Sequence, residues 1–401
     1  MEKENRLKNG LDVLYLAACA LHDAVPDQKR MFEMDTVGVM KAAARHSMLG
    51  VTYLGIKKYL DCTPNAGNII DAETLAKWKS GYAKIIKKTI LFDMEREKIL
   101  SFFDQNGIWY LPLKGIVLQN FYPQLGMRQM ADNDILFDEN YRAELKKYML
   151  ENGYEGGEYV GRTDAGCHDT YLKAPVYNFE MHHNLHPATE KSVLLRNYYD
   201  HIKDRLIKDD GNRCGYHMSD EDFYIYITTH AYRHYIHAGN GIRSFMDVYV
   251  YMSKKQDCLN FDYIENEISK LGMADFEKMM RTLAFKLFSE PNHKNMLKFT
   301  ASEAEFLSFH IGSGTYGTVG NAMDIKLSEI SQSGKITFGV KFKYFMRRLI
   351  PGNDCYMLRY PLAYKYKVLI PFVVIARFVQ AVCTKPLKLL GEIKALTRKK
   401  S

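Results

Sequence analysis

The chain has 401 residues, 47% hydrophobic and 25% charged, a balance that excludes wholesale disorder and fibrous repeats. Its 7 cysteines are odd in number and scattered, with no Cys-x-x-Cys pair, which argues against a disulfide framework or zinc ribbon and for a reducing, cytoplasmic setting. The net charge of +8 is unevenly spread: residues 341–401 hold 14 Lys plus Arg against 2 acidic residues, so +12 lies there and −4 in the remainder.

Residues 1–107 are expected to be helical. The opening stretch carries no small-residue cleavage site and reads as an amphipathic helix rather than a signal peptide, with Leu11, Leu14, Tyr15 and Ala18 at helical spacing. A break at Cys62-Thr-Pro-Asn-Ala-Gly separates these helices from a long one, with Asp71 as N-cap and Asn106-Gly107 as stop. At Ile108 the texture changes. IWYLPL suits a buried strand, GIVLQNFY a short helix, ADNDILF a second strand, and DENYRAELKKYMLENGY a helix between Asp138 and Gly153. VYNFEMHHNL alternates like a further strand. From Ser219, a cap three residues before Asp222, the pattern is helical to about Ser331, and 331–335 is the expected linker to the basic tail. The divisions are 1–107 helical, 108–190 a small α/β unit, 191–332 helical and 333–401 the tail. The fold class is α+β, a small mixed sheet with flanking helices inside a mainly helical chain.

The segment from Leu111 to Asn140 carries the chemistry. Asp132 and Asp134 are two apart in an expected strand, so their carboxylates share a face. Such a pair repels itself unless a cation intervenes, and Mg²⁺ suits a few carboxylates plus phosphate oxygens. A third acid from a neighbouring strand would complete a two-metal site, and Glu180 is the well-placed candidate. Lys114-Gly115 sits where a strand turns into a helix. There glycine permits close approach to a phosphate, and helix N–H groups face it. Lys114 and Arg128 could neutralise a triphosphate. Taken alone, each motif also fits a solvated strand end or an ordinary turn.

In order, these parts follow a nucleotidyltransferase palm. The sequence resembles the uncharacterised nucleotidyltransferase family of bacteria at Leu113-Lys114-Gly115, Tyr122-Pro123, Arg128, Asp132-Asn133-Asp134-Ile135-Leu136, Glu180 with His182, His230 with His234, and Arg243 with Asp247. The resemblance implies a polymerase-beta-like palm and transfer of a nucleoside monophosphate from an NTP to a hydroxyl acceptor. In that reading Asp132, Asp134 and Glu180 are catalytic and hold Mg²⁺, and Lys114, Gly115 and Arg128 bind nucleotide. Ile116, Ala131 and Asn133 depart from the usual pattern. Asn133 is expected on the opposite strand face, so that the carboxylate pair survives.

His230-x-x-x-His234 has zinc-protease spacing but lacks the intervening Glu, so a structural or substrate-side role is expected. The cluster of His182, His183 and His186 suits a surface or hydrogen-bonding role. Arg243 and Asp247, four apart, suit a helix ion pair. The tail alternates apolar runs with Lys and Arg, and Val368–Val382 is too short and too charged for a spanning helix. It suits either contact with an anionic membrane surface or packing on the core, with nucleic acid a weaker fit. The alternative of a different class is a degenerate palm acting as a membrane-associated binding or scaffold protein.

Overall fold

The structure is a computed structural model that describes residues 2–63, 69–157, 167–186, 193–211, 213–291, 298–315, 317–331, 337–350, 356 and 360–384. The linker expected at 331–335 lies outside the described residues beyond Ser331, as does the tail after 384.

Four helices open the chain: α1 (Glu2–Leu21), α2 (Gln28–Phe32), α3 (Thr36–Arg45) and α4 (Leu49–Cys62). Asp27 and Asp35 start α2 and α3 by accepting hydrogen bonds from the N–H groups of Arg30 and Gly38. α5 (Ala72–Gln105) runs for 34 residues. It begins where the Asp71 carboxylate accepts the Thr74 N–H at 2.8 Å and ends before Gly107 at φ +67°, the cap and stop that the sequence predicts.

The sheet follows in the order β1 (Tyr110–Pro112), α6 (Lys114–Leu118), β2 (Asn133–Phe137), α7 (Arg142–Glu151), β3 (Glu155–Gly156), β4 (His168–Lys173) and β5 (Tyr177–His182). In space the five strands run β1-β2-β5-β4-β3. β2 and β5 pair parallel and the other three pairs are antiparallel, so the sheet is mixed. Alternation divides its faces. Ile135, Phe137, Phe179, Met181 and Tyr171 form a core with Phe92, Ile99 and Phe103 of α5 and Leu145 and Met149 of α7. On this side Asn133 accepts a hydrogen bond from Arg96 Nη1 at 2.9 Å, so it does point away from the aspartates, as predicted.

Several local details differ from the sequence-based expectation, among them the short strands β3, β6 (Ile207–Lys208) and β7 (Tyr216–His217). β2 starts at Asn133, so Asp132 stands just before the strand rather than within it. β4 is an additional strand. Its sequence HDTYLK is polar at most positions and buries only Asp169 and Tyr171, which conceals the alternation.

The chain continues through α8 (Val193–Tyr198), the pair β6 (Ile207–Lys208) and β7 (Tyr216–His217), α9 (Asp220–His237), α10 (Arg243–Lys255), α11 (Phe261–Lys270), α12 (Ala274–Phe288), α13 (Ala301–Ser313), α14 (Val319–Ile330) and α15 (Phe338–Leu349). Ser219 caps α9 by accepting the Asp222 N–H at 3.1 Å. Two further helices span Pro361–Lys365 and Ile370–Thr384. One hydrophobic core joins the early and late helices, with Val13, Leu16, Val51 and Ile56 packed in the same cluster as Phe245, Leu283 and Ile311. Leu111 and Leu136 belong to it as well, so the second face of the sheet is turned toward α9 and α10. That face carries Asp134, Glu180 and His182.

Candidate active site

Parallel pairing sets Asp134 directly beside Glu180, and Leu136 beside His182. Side chains of one strand face thereby converge, and ligand atoms of Asp134, Glu180 and His182 all lie within 4.8 Å of one another. Asp132 lines the same cleft, one step outside this tight group. The cleft is about 280 Å³ in volume. Its opposite wall comes from α9, with His230, Arg233 and His234, and from α10, with Arg243 and Asp247.

Asp134 is the centre of the charge arrangement. Its Oδ1 accepts Lys114 Nζ and His182 Nε2, each at 2.9 Å. Among the described residues its Oδ2 takes no hydrogen bond. Burial works against ionisation of Asp134, yet the Lys114 charge and the His182 hydrogen bond hold its carboxyl well below the usual range. Burial likewise disfavours charge on His182, but the bond to Asp134 outweighs it and pushes the imidazole up to about 9. Asp132 and Glu180 go the other way. Burial, followed by the charge of Asp134, raises both above the usual carboxyl value. Three carboxyl groups so placed, two of them held short of easy ionisation, fit a hard divalent cation that would neutralise them.

Lys114 has a backbone φ of +34°, uncommon for a residue with a side chain, at the turn from β1 into α6. Gly115 follows for a steric reason: a Cβ there would lie 2.7 Å from Arg128 Nη1. Arg128 itself is committed to the fold. Its Nε and Nη2 donate to the two oxygens of Asp247 at 2.8 and 3.2 Å, and Tyr122 Oη donates to Oδ1 at 2.7 Å. The expected Arg243–Asp247 ion pair is present as the looser of the two contacts. Arg243 Nε is 4.0 Å from Asp247, while its Nη1 donates to the Gln129 carbonyl at 2.7 Å. The buried clamp ties the segment after α6 to α10, and Arg128 lines the cleft from within it.

His230 and His234 both line the cleft, with their Nε2 atoms 3.2 Å apart. Burial first, then the nearby cations Lys114 and Arg233, keep them neutral, His234 down to about 3. Arg233, three residues after His230, shares their helix face, and among the described residues its guanidinium makes no hydrogen bond or ion pair. Arg233 belongs to none of the motifs read from the sequence, although its i, i+3 spacing from His230 marks it out. Cys167 and His168 carry no such signal, because the strand that begins at His168 is itself hidden. Asp169, another carboxylate of this unit, lies on the other face of the sheet and pairs with Arg142 at 2.6 and 2.7 Å.

Residues 33–289 match the family described as "Uncharacterised nucleotidyltransferase". No curated protein and no solved structure matches the chain. The matched stretch covers well over half of the chain and includes every residue of the cleft named above, so the protein belongs to the uncharacterised nucleotidyltransferase family.

Proposed function

We propose that the protein transfers a nucleoside monophosphate from an NTP to an acceptor hydroxyl on a polymerase-beta-like palm, with release of pyrophosphate. The observation that carries this reading is the in-register placement of Asp134 and Glu180 on neighbouring parallel strands, opposite a cationic wall. Asp132, Asp134 and Glu180 would hold Mg²⁺, which supplies positive charge against the oxygens of the transferring phosphoryl group. Lys114 and His182 fix the Asp134 carboxylate through Oδ1, so that Oδ2 is presented to the cleft. Glu180, raised by its surroundings and close to the carboxylate pair, is the base that takes the acceptor proton. The acceptor oxygen bonds to the α-phosphorus as the bond to the bridging oxygen breaks, and the electron pair leaves with pyrophosphate. Arg233 and Gly115 face the triphosphate, with Arg233 placed to neutralise the leaving group and Arg128 supporting the turn from behind.

The test is Asp134→Asn in the full chain, with NTP binding followed in Mg²⁺. Loss of Mg²⁺-dependent binding in a variant that still folds is the expected result. Wild-type binding by the variant would remove Asp134 from the site.

The tail adds a membrane contact to this reading. Val340 and Tyr344 of α15 pack on Met323 and Leu327 of α14, while Phe338, Phe342 and Phe345 stay exposed on the other side. Phe372, Ile375, Phe378 and Val379 of the helix Ile370–Thr384 are exposed too. Among the described residues no helix is long and apolar enough to cross a membrane. Exposed aromatic residues among Lys341, Lys343 and Arg377 suit an anionic lipid surface approached from one side.

A further inference from the structure

Behind the carboxylates lies a second group of donors with different chemistry. β4 and β5 pair antiparallel with His168 directly across from His182. Such opposed residues bring their side chains together on one face, and the two rings stand 4.8 Å apart between centroids. Cys167 precedes β4, and its carbonyl accepts the N–H groups of His183 and Asn184 at 3.0 and 3.2 Å, which fixes the chain where the thiol emerges. The thiol is buried, and its Sγ lies 3.5 Å from His168 Nδ1. One ligand atom from each of Cys167, His168 and His182 falls within 4.8 Å of the other two.

We propose that Cys167, His168 and His182 form a binding site for a thiophilic divalent cation of the Zn²⁺ class, adjacent to the carboxylate site and joined to it through His182. The donor set separates the two sites. Thiolate and imidazole favour Zn²⁺, whereas the oxygens of Asp132, Asp134 and Glu180 favour Mg²⁺. The spacing agrees. With metal–sulfur bonds of ~2.3 Å and metal–nitrogen bonds of ~2.0–2.1 Å, a tetrahedral ion needs a sulfur–nitrogen edge of roughly 3.5 Å. Glu180 Oε2 lies on the far side of both rings, 3.7 Å from His168 Nε2 and 3.8 Å from His182 Nε2, so it stays with the carboxylate site and the fourth position is left to a water. Asp134 holds the His182 ring from outside by its 2.9 Å hydrogen bond, the carboxylate–histidine support that orients metal-binding imidazoles.

The probe is Co²⁺, titrated into the full-length protein after chelator treatment and read by absorbance. The expected result is one equivalent with a thiolate-to-cobalt charge-transfer band, retained in excess Mg²⁺. Cys167→Ser should abolish the band. Replacement of the exposed Cys62, Cys258 and Cys383 by Ser should leave it in place. His168→Ala gives a second reading should Cys167→Ser fail to fold, and it should weaken Co²⁺ binding by about tenfold or more. Absence of the band in the wild type overturns the proposal. So does its survival in Cys167→Ser, its displacement by Mg²⁺, or unchanged affinity in His168→Ala.

Discussion

At the residue scale, single buried groups are set by what they touch, and His46 shows this away from the cleft. Its Nδ1 accepts the Ile242 N–H at 3.4 Å, so the proton sits on Nε2, which donates to the Ile311 carbonyl at 3.2 Å. Burial, then the charge of Arg45, lowers its pKa to about 3. The unfolded chain binds a proton near the ordinary value of ~6.5 while the folded protein refuses it. The associated stability is therefore complete above that value and is lost as pH falls from there toward 3. Thermal melts in this window should show a falling midpoint, flattened in His46→Ala. That variant should also lose about 1–3 kcal/mol at neutral pH, because two backbone groups lose their partner. In the cleft, Asp132, Asp134 and Glu180 are legible in the sequence because carboxylates in strand patterns are conspicuous. The role of His182 is not, since a hydrogen bond to Asp134 depends on strand pairing that spacing along the chain does not encode.

At the element scale, the Arg128–Asp247 clamp is the connection most exposed to test. It joins the segment after α6 to α10 with Arg128 buried and Asp247 largely so, and Gly115 makes room for the guanidinium. Asp247→Leu alone should cost roughly 3–5 kcal/mol, because it strands a buried cation. The double change Arg128→Met with Asp247→Leu should recover most of that loss, since an apolar pair of similar volume replaces the ions. Denaturant melts of the two single variants and the double variant check this. Additive losses would mean that the two residues act independently. Helices with clear caps are legible from the sequence, as Asp71 and Ser219 show, because a cap is a local event. β4 and the closer partner of Asp247, Arg128, are not legible, because each is decided by segments far away in the chain. The Arg243 pair is legible, because four-residue spacing on one helix is local.

At the scale of the whole molecule, charge and exposed apolar area are concentrated in the tail, away from a core shared by the early and late helices. Vesicle co-sedimentation of the full chain should require anionic lipid and weaken with salt, as exposed charges are screened over about 10 Å at 0.1 M. Phe372→Asp with Phe378→Asp should remove the salt-resistant part, about 1.5–3 kcal/mol for each buried Phe. Equal binding to neutral and anionic vesicles would contradict this account. The central claim is the chemistry of the cleft. Its most direct test is incubation of the full-length protein with Mg²⁺ and a cell extract, with each NTP labelled in turn at the α- or the γ-phosphate. The account predicts transfer of α-label to an acceptor, with γ-label appearing in an equal amount of pyrophosphate and both lost in Asp134→Asn. Transfer of γ-label, or no turnover of any NTP while the extract's acceptors are intact, would contradict it and favour a scaffold.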